Sequence, residues 1–239
     1  MAVRGSGAGY QIALKRILRP LVPKRVLEER SICQRLGSQA ARPYAKLRLL
    51  DTLGIRHLNK RAVPPGARSF VFVCFGNIMR SPTAELMFKR ELLNQGRQGI
   101  DVSSAGIHTT PGREAHERAE IAARKLGFDL SNDRSKPLTA EMVAQADAIL
   151  AMDFQNKAEL LAQFPEAREK IYMLSAYAEN GRRYREIADP YFGDQDQADS
   201  CFALLLTCVH NLAESVGLVA SQSGAPQACG SFEVGKTAK

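Results

Sequence analysis

The sequence predicts a three-layer α/β fold, in which a four-stranded parallel sheet lies between helices and follows a basic helical extension. Three observations lead to this prediction. Short β-rich runs alternate with helical segments between residues 69 and 217, which is typical of a parallel sheet covered on both faces. Pro64, Pro65 and Gly66 interrupt the chain just before that region. The net charge changes sign at about the same place, which indicates two parts with different roles.

Each element of the sheet region has its own signal. Short apolar runs predict strands at 69–73, 100–104, 148–152 and 171–174. Helical spacing and helix-end signals predict helices at 81–93, 114–126, 139–146, 154–163 and 198–216. Ser81 and Pro82 form a good helix start, with serine as the N-cap and proline at the first helical position. Gly127 suits the end of the second helix.

The chain divides into a basic extension at 1–68, a globular domain at 69–217 and a tail at 218–239, which is rich in small and polar residues and is expected to be disordered. Residues 1–68 carry 15 Lys and Arg against three acids, whereas the remainder carries 18 against 22. Basic amphipathic and helical stretches are predicted at 10–21 and 44–55.

The role of the basic extension has several interpretations. It could bind an anionic membrane surface or an anionic partner such as nucleic acid or an acidic protein. It could instead be a helical extension packed on the domain that follows. Its acid-poor, arginine-rich start is also compatible with an organelle transit peptide.

Composition narrows the range of protein classes to which this chain can belong. The hydrophobic fraction of 45% and charged fraction of 24% are ordinary for a globular chain. No apolar run approaches the roughly 18 residues of a membrane span, so no transmembrane segment is expected. The five cysteines include no CxxC pair, which argues against a zinc site or a disulfide framework. We expect a cytoplasmic protein that uses no metal and no cofactor.

The most informative segment is 73–82, VCFGNIMRSP. Cys74 leaves a strand, five residues follow, and Arg80 stands just before a helix start. Successive backbone N–H groups of such a loop form an anion nest, and the helix N-terminus adds partial positive charge. The planar fork of Arg80 suits two oxygens of a phosphate. Gly76 is expected to let the backbone fold around the anion where a side chain would obstruct it.

The same field favours the thiolate form of Cys74, which makes this side chain a candidate nucleophile. The Ser81 hydroxyl is placed to stabilise that sulfur. The alternative interpretation is that Cys74 is a small buried hydrophobe at the end of a core strand. That alternative leaves the glycine, arginine and serine at these offsets as a coincidence.

The run CFGNIMRSPTAE resembles the signature of the low-molecular-weight protein tyrosine phosphatases, and the similarity extends over about 69–216. DVSSAG at 101–106, ILAMDFQN at 149–156 and the pair Asp189-Pro190 with its following aromatics also resemble segments of that family. The resemblance implies a four-stranded parallel sheet with the catalytic loop after the first strand. It also implies hydrolysis of tyrosine-phosphorylated protein through a phosphocysteine intermediate.

The resemblance also implies roles for individual residues. Cys74 would attack phosphorus, and Arg80 would hold the phosphate oxygens. Asp189 would protonate the leaving oxygen and then take a proton from the hydrolytic water. Ser104 would support the loop through a contact with Asn77. The implied substrate-binding residues are Phe75, Gly76, Asn77, Ile78, Met79, Ser81, Tyr191 and Phe192.

Some positions depart from that family. Met79 stands where many members have a second, protective cysteine. Asp133 stands about where a loop-supporting histidine often occurs, and it could take over that hydrogen bond. Asp153 is expected to be a helix N-cap. The histidines are expected to be solvated or packed side chains: His108, His116 and His210.

Three alternatives to a tyrosine phosphatase remain. A phosphoarginine phosphatase is one, although such relatives usually carry threonine where this chain has Ile78. An arsenate reductase needs two further cysteines in mid-domain, and none lies between Cys74 and Cys201. A phosphate-binding module without turnover is the third, and retention of Arg80 and Asp189 beside Cys74 argues against it.

Overall fold

The computed structural model describes residues 24–55, 62–178 and 186–217. The helix predicted at 10–21 and the tail predicted from 218 lie outside these residues.

Four parallel strands form one sheet, as the sequence predicts. They are β1 (Ser69–Cys74), β2 (Asp101–Gly106), β3 (Ala148–Ala151) and β4 (Ile171–Met173), in the order β2-β1-β3-β4. β1 pairs with β2 on one side and with β3 on the other. After β1 the chain therefore continues to the neighbouring strand on one side, and after β2 it crosses to the strand on the other side of β1. At such a switch point a crevice opens beyond the carboxyl end of the strand, where ligands bind in open α/β sheets.

Seven α-helices are described around this sheet. They are α1 (Lys24–Arg35), α2 (Gly37–Thr52), α3 (Arg80–Asn94), α4 (Glu117–Lys125), α5 (Ala140–Gln145), α6 (Phe154–Gln163) and α7 (Gln195–Gly217). Short 3-10 turns at Pro165–Lys170 and Leu174–Tyr177 flank β4.

Helices cover both faces of the sheet. Successive side chains of a strand point to opposite faces, so Phe70 and Phe72 of β1 pack in the cluster that includes α3, α4 and α7. Val71 and Val73 pack in the other cluster, with residues of α5 and α6. All four side chains are buried, which is why β1 is apolar throughout rather than alternating.

The described part of the basic extension packs on the rest of the protein. α2 lies against α6, and its Tyr44 and Leu47 are buried in the same cluster as Val71 and Ile149. For residues 37–52, this arrangement agrees with the interpretation of the extension as a helix packed on the domain that follows. The linker predicted at 64–66 is also anchored, since the backbone N–H of Val63 donates to the Tyr177 hydroxyl at 2.8 Å.

α1 and the first half of α2 were not predicted. The predicted helix started only at Tyr44, and a proline usually interrupts a helix. In the structure Pro43 lies inside α2, which begins at Gly37. Burial of Tyr44 and Leu47 on α6 stabilises a helix that local propensity alone disfavours.

Smaller differences occur at helix ends. α4 begins at Glu117 rather than 114, because Glu114 forms a bridge with Arg134 and His116 caps the helix. α7 begins at Gln195 rather than 198, and the Asp194 carboxylate accepts from the N–H of Gln197 at 2.9 Å.

Candidate active site

The loop between β1 and α3 surrounds the buried thiol of Cys74. Backbone N–H groups from outside the loop hold three carbonyl groups at and within it. The N–H of Ile107 donates to the carbonyl of Cys74 at 3.1 Å, that of His108 to the carbonyl of Phe75 at 2.8 Å, and that of His116 to the carbonyl of Ile78 at 2.9 Å. Among the described residues, the N–H groups of Gly76, Ile78 and Met79 donate no hydrogen bond. The loop thus has its acceptors turned outward and donors available to an anion, which is the arrangement of an anion nest.

Two groups lie within hydrogen-bond distance of the sulfur of Cys74. The backbone N–H of Asn77 donates to Sγ at 3.2 Å, and the Ser81 hydroxyl lies 3.0 Å from Sγ. Ser81 was expected to be the N-cap of α3. The helix instead begins at Arg80, so the Ser81 side chain lies in its first turn and its hydroxyl faces the sulfur rather than capping.

Asn77 fixes the shape of the loop. It has a left-handed backbone with φ of 50° and is buried. Its Nδ2 donates to Ser81 Oγ and to Ser104 Oγ, both at 2.9 Å. Its Oδ1 accepts from the backbone N–H of Lys136 at 2.7 Å. The contact with Ser104 that the resemblance implies is therefore present.

The support of the loop continues to Glu85, a buried carboxylate that the sequence did not single out. Ser104 Oγ donates to Glu85 Oε2 at 2.6 Å, and Lys89 pairs with Oε1 at 2.6 Å. Asp133 was expected to take over the hydrogen bond of a supporting histidine. In the described residues its carboxylate makes no hydrogen bond to the loop; the N–H of Lys136 does so. Burial is the main cause that raises the pKa of Asp133, and repulsion from the Glu85 carboxylate adds to it.

Around the loop, Gly106 has tighter surroundings than Gly76. A Cβ on Gly76 would lie 3.6 Å from the Ile78 side chain, which is ordinary contact. A side chain at position 76 would therefore not collide with the loop itself. A Cβ on Gly106 would lie 2.9 Å from the Gly76 carbonyl carbon and 3.0 Å from the Asn77 nitrogen. Gly106, at the end of β2, thus lets the strand approach the back of the loop.

Arg80 lies beneath the loop with a side chain that is 1% exposed. Its Nη1 donates to Asp153 Oδ2 at 2.7 Å and to the carbonyl of Ile187 at 2.8 Å. Its Nη2 donates to Asp189 Oδ2 at 2.7 Å. A guanidinium has five N–H donors, so two remain after these contacts with described residues. Two donors suffice for a bidentate contact with phosphate.

Asp153 serves two elements. Its Oδ1 caps α6 by accepting from the N–H of Asn156 at 2.7 Å, which confirms the predicted N-cap, and its Oδ2 pairs with Arg80. Burial alone would lower the pKa of Arg80, but the carboxylates of Asp153 and Asp189 raise it overall. The guanidinium therefore stays charged although it is buried.

A cavity of about 360 Å³ opens above the sulfur. Phe75, Tyr191 and Phe192 lie at its rim and are 42%, 37% and 94% exposed, whereas Ile78 and Met79 are buried in its wall. The cavity thus brings together every sequence-predicted site residue except the supporting Ser104 and two of the implied substrate-binding residues, Asn77 and Ser81, which do not line it. It also has lining residues that sequence reasoning missed: Arg35, Arg113 and Gln155.

Each predicted packed or solvated histidine has a partner. His108 pairs with Glu159 and stacks near Phe75. His116 caps α4 through Nδ1, which accepts from the N–H of Arg118 at 3.2 Å. His210 lies 3.1 Å from Glu91.

The described residues contain no group of three or more histidine, cysteine or carboxylate side chains that could hold a metal ion. None of their helices is both long enough and apolar enough to cross a membrane.

The fold and the site together define an α/β protein that presents a cysteine and an arginine to an oxyanion. Residues 69–221 match the family model of the low molecular weight phosphotyrosine protein phosphatases, so the chain belongs to that family. Over 142 residues it is 34% identical to the low molecular weight protein-tyrosine-phosphatase Ptp of Acinetobacter johnsonii, covering 59% of this chain and 93% of the relative.

Other relatives have different names. The chain is 36% identical over 126 residues to the protein-arginine-phosphatase of Bacillus subtilis, covering 53% of this chain and 81% of the relative. Among solved structures, the tyrosine phosphatase Wzb of Escherichia coli K30 in complex with sulphate aligns with a TM-score of 0.57 at 29% identity. That alignment covers 63% of this chain and 99% of Wzb.

Proposed function

We propose that this protein is a protein tyrosine phosphatase that hydrolyses phosphotyrosine through a phosphocysteine on Cys74. The observation that carries the proposal is the position of the Cys74 sulfur. It lies at the floor of the cavity with the N–H of Asn77 at 3.2 Å and the hydroxyl of Ser81 at 3.0 Å. The N–H of Asn77 stabilises the sulfur both as the attacking thiolate and as the later leaving group, and the Ser81 hydroxyl can donate to it when the sulfur is a thiolate.

In the first step the Cys74 thiolate attacks phosphorus, an S–P bond forms and the P–O bond to the tyrosine breaks. The free N–H groups of the loop and the two remaining donors of Arg80 hold the phosphate oxygens as charge develops. Asp189 gives its proton to the phenolic oxygen. In the second step water attacks phosphorus, Asp189 takes the proton of that water, and the S–P bond breaks to return the thiolate and release inorganic phosphate.

The geometry at Asp189 supports the role of general acid and base. Its carboxylate lines the cavity and is 40% exposed, so it is accessible to a leaving group. Its Oδ2 is held by Arg80, and its Oδ1 accepts from the N–H of Tyr191 at 3.2 Å. These contacts fix the carboxyl plane near the cavity mouth.

The wall and rim of the cavity favour an aromatic substrate. Ile78 fills the wall with a branched apolar side chain, and Phe75 and Tyr191 offer ring surfaces at the rim. Phosphoarginine is the second candidate substrate, because relatives at similar identity are named arginine phosphatases. A charged, planar guanidinium gains less than a phenyl ring from this apolar wall.

A substrate panel tests the proposal. The full-length protein is assayed on peptides of one sequence that carry phosphotyrosine, phosphoserine or phosphoarginine. We expect kcat/KM to favour phosphotyrosine over phosphoarginine by roughly 10- to 200-fold, the range typical of small changes in an apolar pocket. Ile78→Thr reduces that preference, whereas the matched control Ile78→Val retains it. Equal rates on the three peptides, or a preference for phosphoarginine, contradict the proposed specificity.

We also propose a cytoplasmic location and an anionic surface or partner for the basic extension. A cytoplasmic location suits the chemistry, since Cys74 has to stay a free thiol. An anionic surface or partner for the basic extension is supported by its charge alone. Arg48 in that extension is paired internally with Glu29 and Glu186, so its charge contributes little to such a surface.

A further inference from the structure

Helix α2 lies outside the residues that the family model matches, yet it contacts a segment of the candidate active site. Arg48 of α2 donates from Nη1 to Glu186 Oε2 at 2.6 Å. Glu186 lies three residues before Asp189, the proposed general acid. The Arg48–Glu186 pair therefore joins the N-terminal helices to the segment that carries this acid.

Arg48 is held from several sides. Its Nε lies 3.0 Å from the Tyr44 hydroxyl and 3.1 Å from Glu29 Oε1. Its guanidinium carbon lies 5.1 Å from the centre of the Phe154 ring. Burial lowers the pKa of Arg48, but Glu186 and the Tyr44 hydroxyl raise it overall. A stacked guanidinium with several partners is a fixed anchor rather than a mobile surface charge.

Glu186 has a second partner on the other side. Its Oε1 accepts from the backbone N–H of Phe154 at 2.7 Å, at the N-terminus of α6, where the helix dipole favours a carboxylate. Burial raises the pKa of Glu186, and the N–H of Phe154 and the charge of Arg48 oppose that shift. Loss of Arg48 would leave a largely buried carboxylate with less compensation, which favours displacement of this side chain.

The contacts continue from Glu186 into the site. The N–H of Ile187 donates to the carbonyl of Met152 at 2.8 Å, and the Ile187 carbonyl accepts from Arg80 at 2.8 Å. Asp189 accepts from the same guanidinium. Residues 186–189 are thus attached to α2 at one end and to Arg80 at the other, so a shift of Glu186 moves the carboxyl group of Asp189.

We propose that Arg48 and Glu186 are positioning residues for Asp189, and that α2 is thereby part of the catalytic apparatus. The assignment rests on the proposed function, because it concerns the step in which Asp189 protonates the phenolic oxygen. A misplacement of about 1 Å in a reacting group can lower a rate by about 10²-fold. The effect of losing the pair should therefore be confined to substrates whose leaving group needs that proton.

The test compares full-length Arg48→Ala and Glu186→Gln with the parent on two substrates. One is a phosphotyrosine peptide, and the other is an aryl phosphate whose leaving group is a weak base. We expect kcat on the peptide to fall by roughly 10- to 100-fold while kcat on the aryl phosphate stays near the parent value. Glu186→Gln keeps an oxygen for the N–H of Phe154 and so serves as the gentler change. Arg48→Lys should recover part of the loss, since lysine supplies the charge without the fork.

Two controls separate positioning from general stability. Arg42→Ala removes an exposed arginine of the same helix and should change neither rate. Adding Arg48→Ala to Asp189→Asn should cause no further loss on phosphotyrosine, because residues that act through one group are not additive. Equal losses on both substrates, or no loss at all, overturn the positioning role. An inactive parent overturns the proposed function and this assignment with it.

Discussion

At the scale of single residues, the site depends on side chains that each bind two or more groups. Asn77 connects the sulfur-facing Ser81 to Ser104 and to the backbone of Lys136. Asp153 caps a helix and pairs with Arg80. Because each of these side chains is fixed at both ends, the loop and the guanidinium are held in place before a phosphate arrives. Such preorganisation lowers the cost of stabilising charge in the transition state.

Substitution of Asp189 should have the most specific effect on activity, because the effect depends on the leaving group of the substrate. A phenolate needs a proton as it leaves, and general acid catalysis contributes about 10²–10⁴-fold. Asp189→Asn should lower turnover of phosphotyrosine by a factor in that range and affect an aryl phosphate with a weakly basic leaving group much less. Steady-state kinetics on both substrates measure this.

An equal loss on both substrates would instead make Asp189 a structural turn residue. Glu114→Gln is a suitable control, since that exposed carboxylate pairs with Arg134 away from the cavity lining.

At the scale of elements, the end of β2 determines how closely the sheet approaches the loop. Gly106→Ala would place a methyl group 2.9 Å from the Gly76 carbonyl carbon, so the loop must shift. We expect the variant to melt at a lower temperature and to bind inorganic phosphate, measured as a competitive inhibitor, more weakly. Both effects follow from displaced N–H groups in the nest.

Gly76→Ala provides the matched comparison for stability. Its added methyl group would meet the Ile78 side chain at 3.6 Å, and its backbone needs no left-handed φ. Its melting temperature should therefore stay close to that of the parent. A Gly106→Ala variant that is as stable as Gly76→Ala, and equally inhibited by phosphate, would contradict the packing described for β2.

Local signals predicted the elements that carry the loop. The strand, the cysteine, the arginine and the helix start lie within ten residues of one another, so spacing alone brings them together. The start of α2 was missed because Pro43 argues locally against a helix, whereas burial of Tyr44 and Leu47 stabilises it. α1 was missed as well, and its Ile32 and Cys33 pack against the same cluster. A single sequence contains no signal for that tertiary contact.

At the scale of the whole molecule, the contacts that were not predicted join distant parts of the chain. Arg80 pairs with Asp153 and Asp189, which lie 73 and 109 positions away, and Arg48 pairs with Glu186 at a separation of 138. The resemblance to a family identified Asp189 but gave no reason to connect residues 1–68 with the site. The structure places α2 on the sheet face beside α6, and that position makes the connection.

The central claim is that the phosphoryl group of the substrate passes to the sulfur of Cys74. Asp189→Ala should slow hydrolysis of the intermediate, whereas formation of the intermediate from an aryl phosphate with a weakly basic leaving group needs no proton. The variant is mixed with such an aryl phosphate, quenched in acid within a few turnovers and digested, and its peptides are examined by mass spectrometry. We predict a phosphoryl group on the sulfur of the peptide that contains Cys74, and no phosphocysteine when Cys74→Ser is treated in the same way. Release of phosphate by the parent with no phosphoryl group on Cys74, together with full activity of Cys74→Ser, would contradict the account.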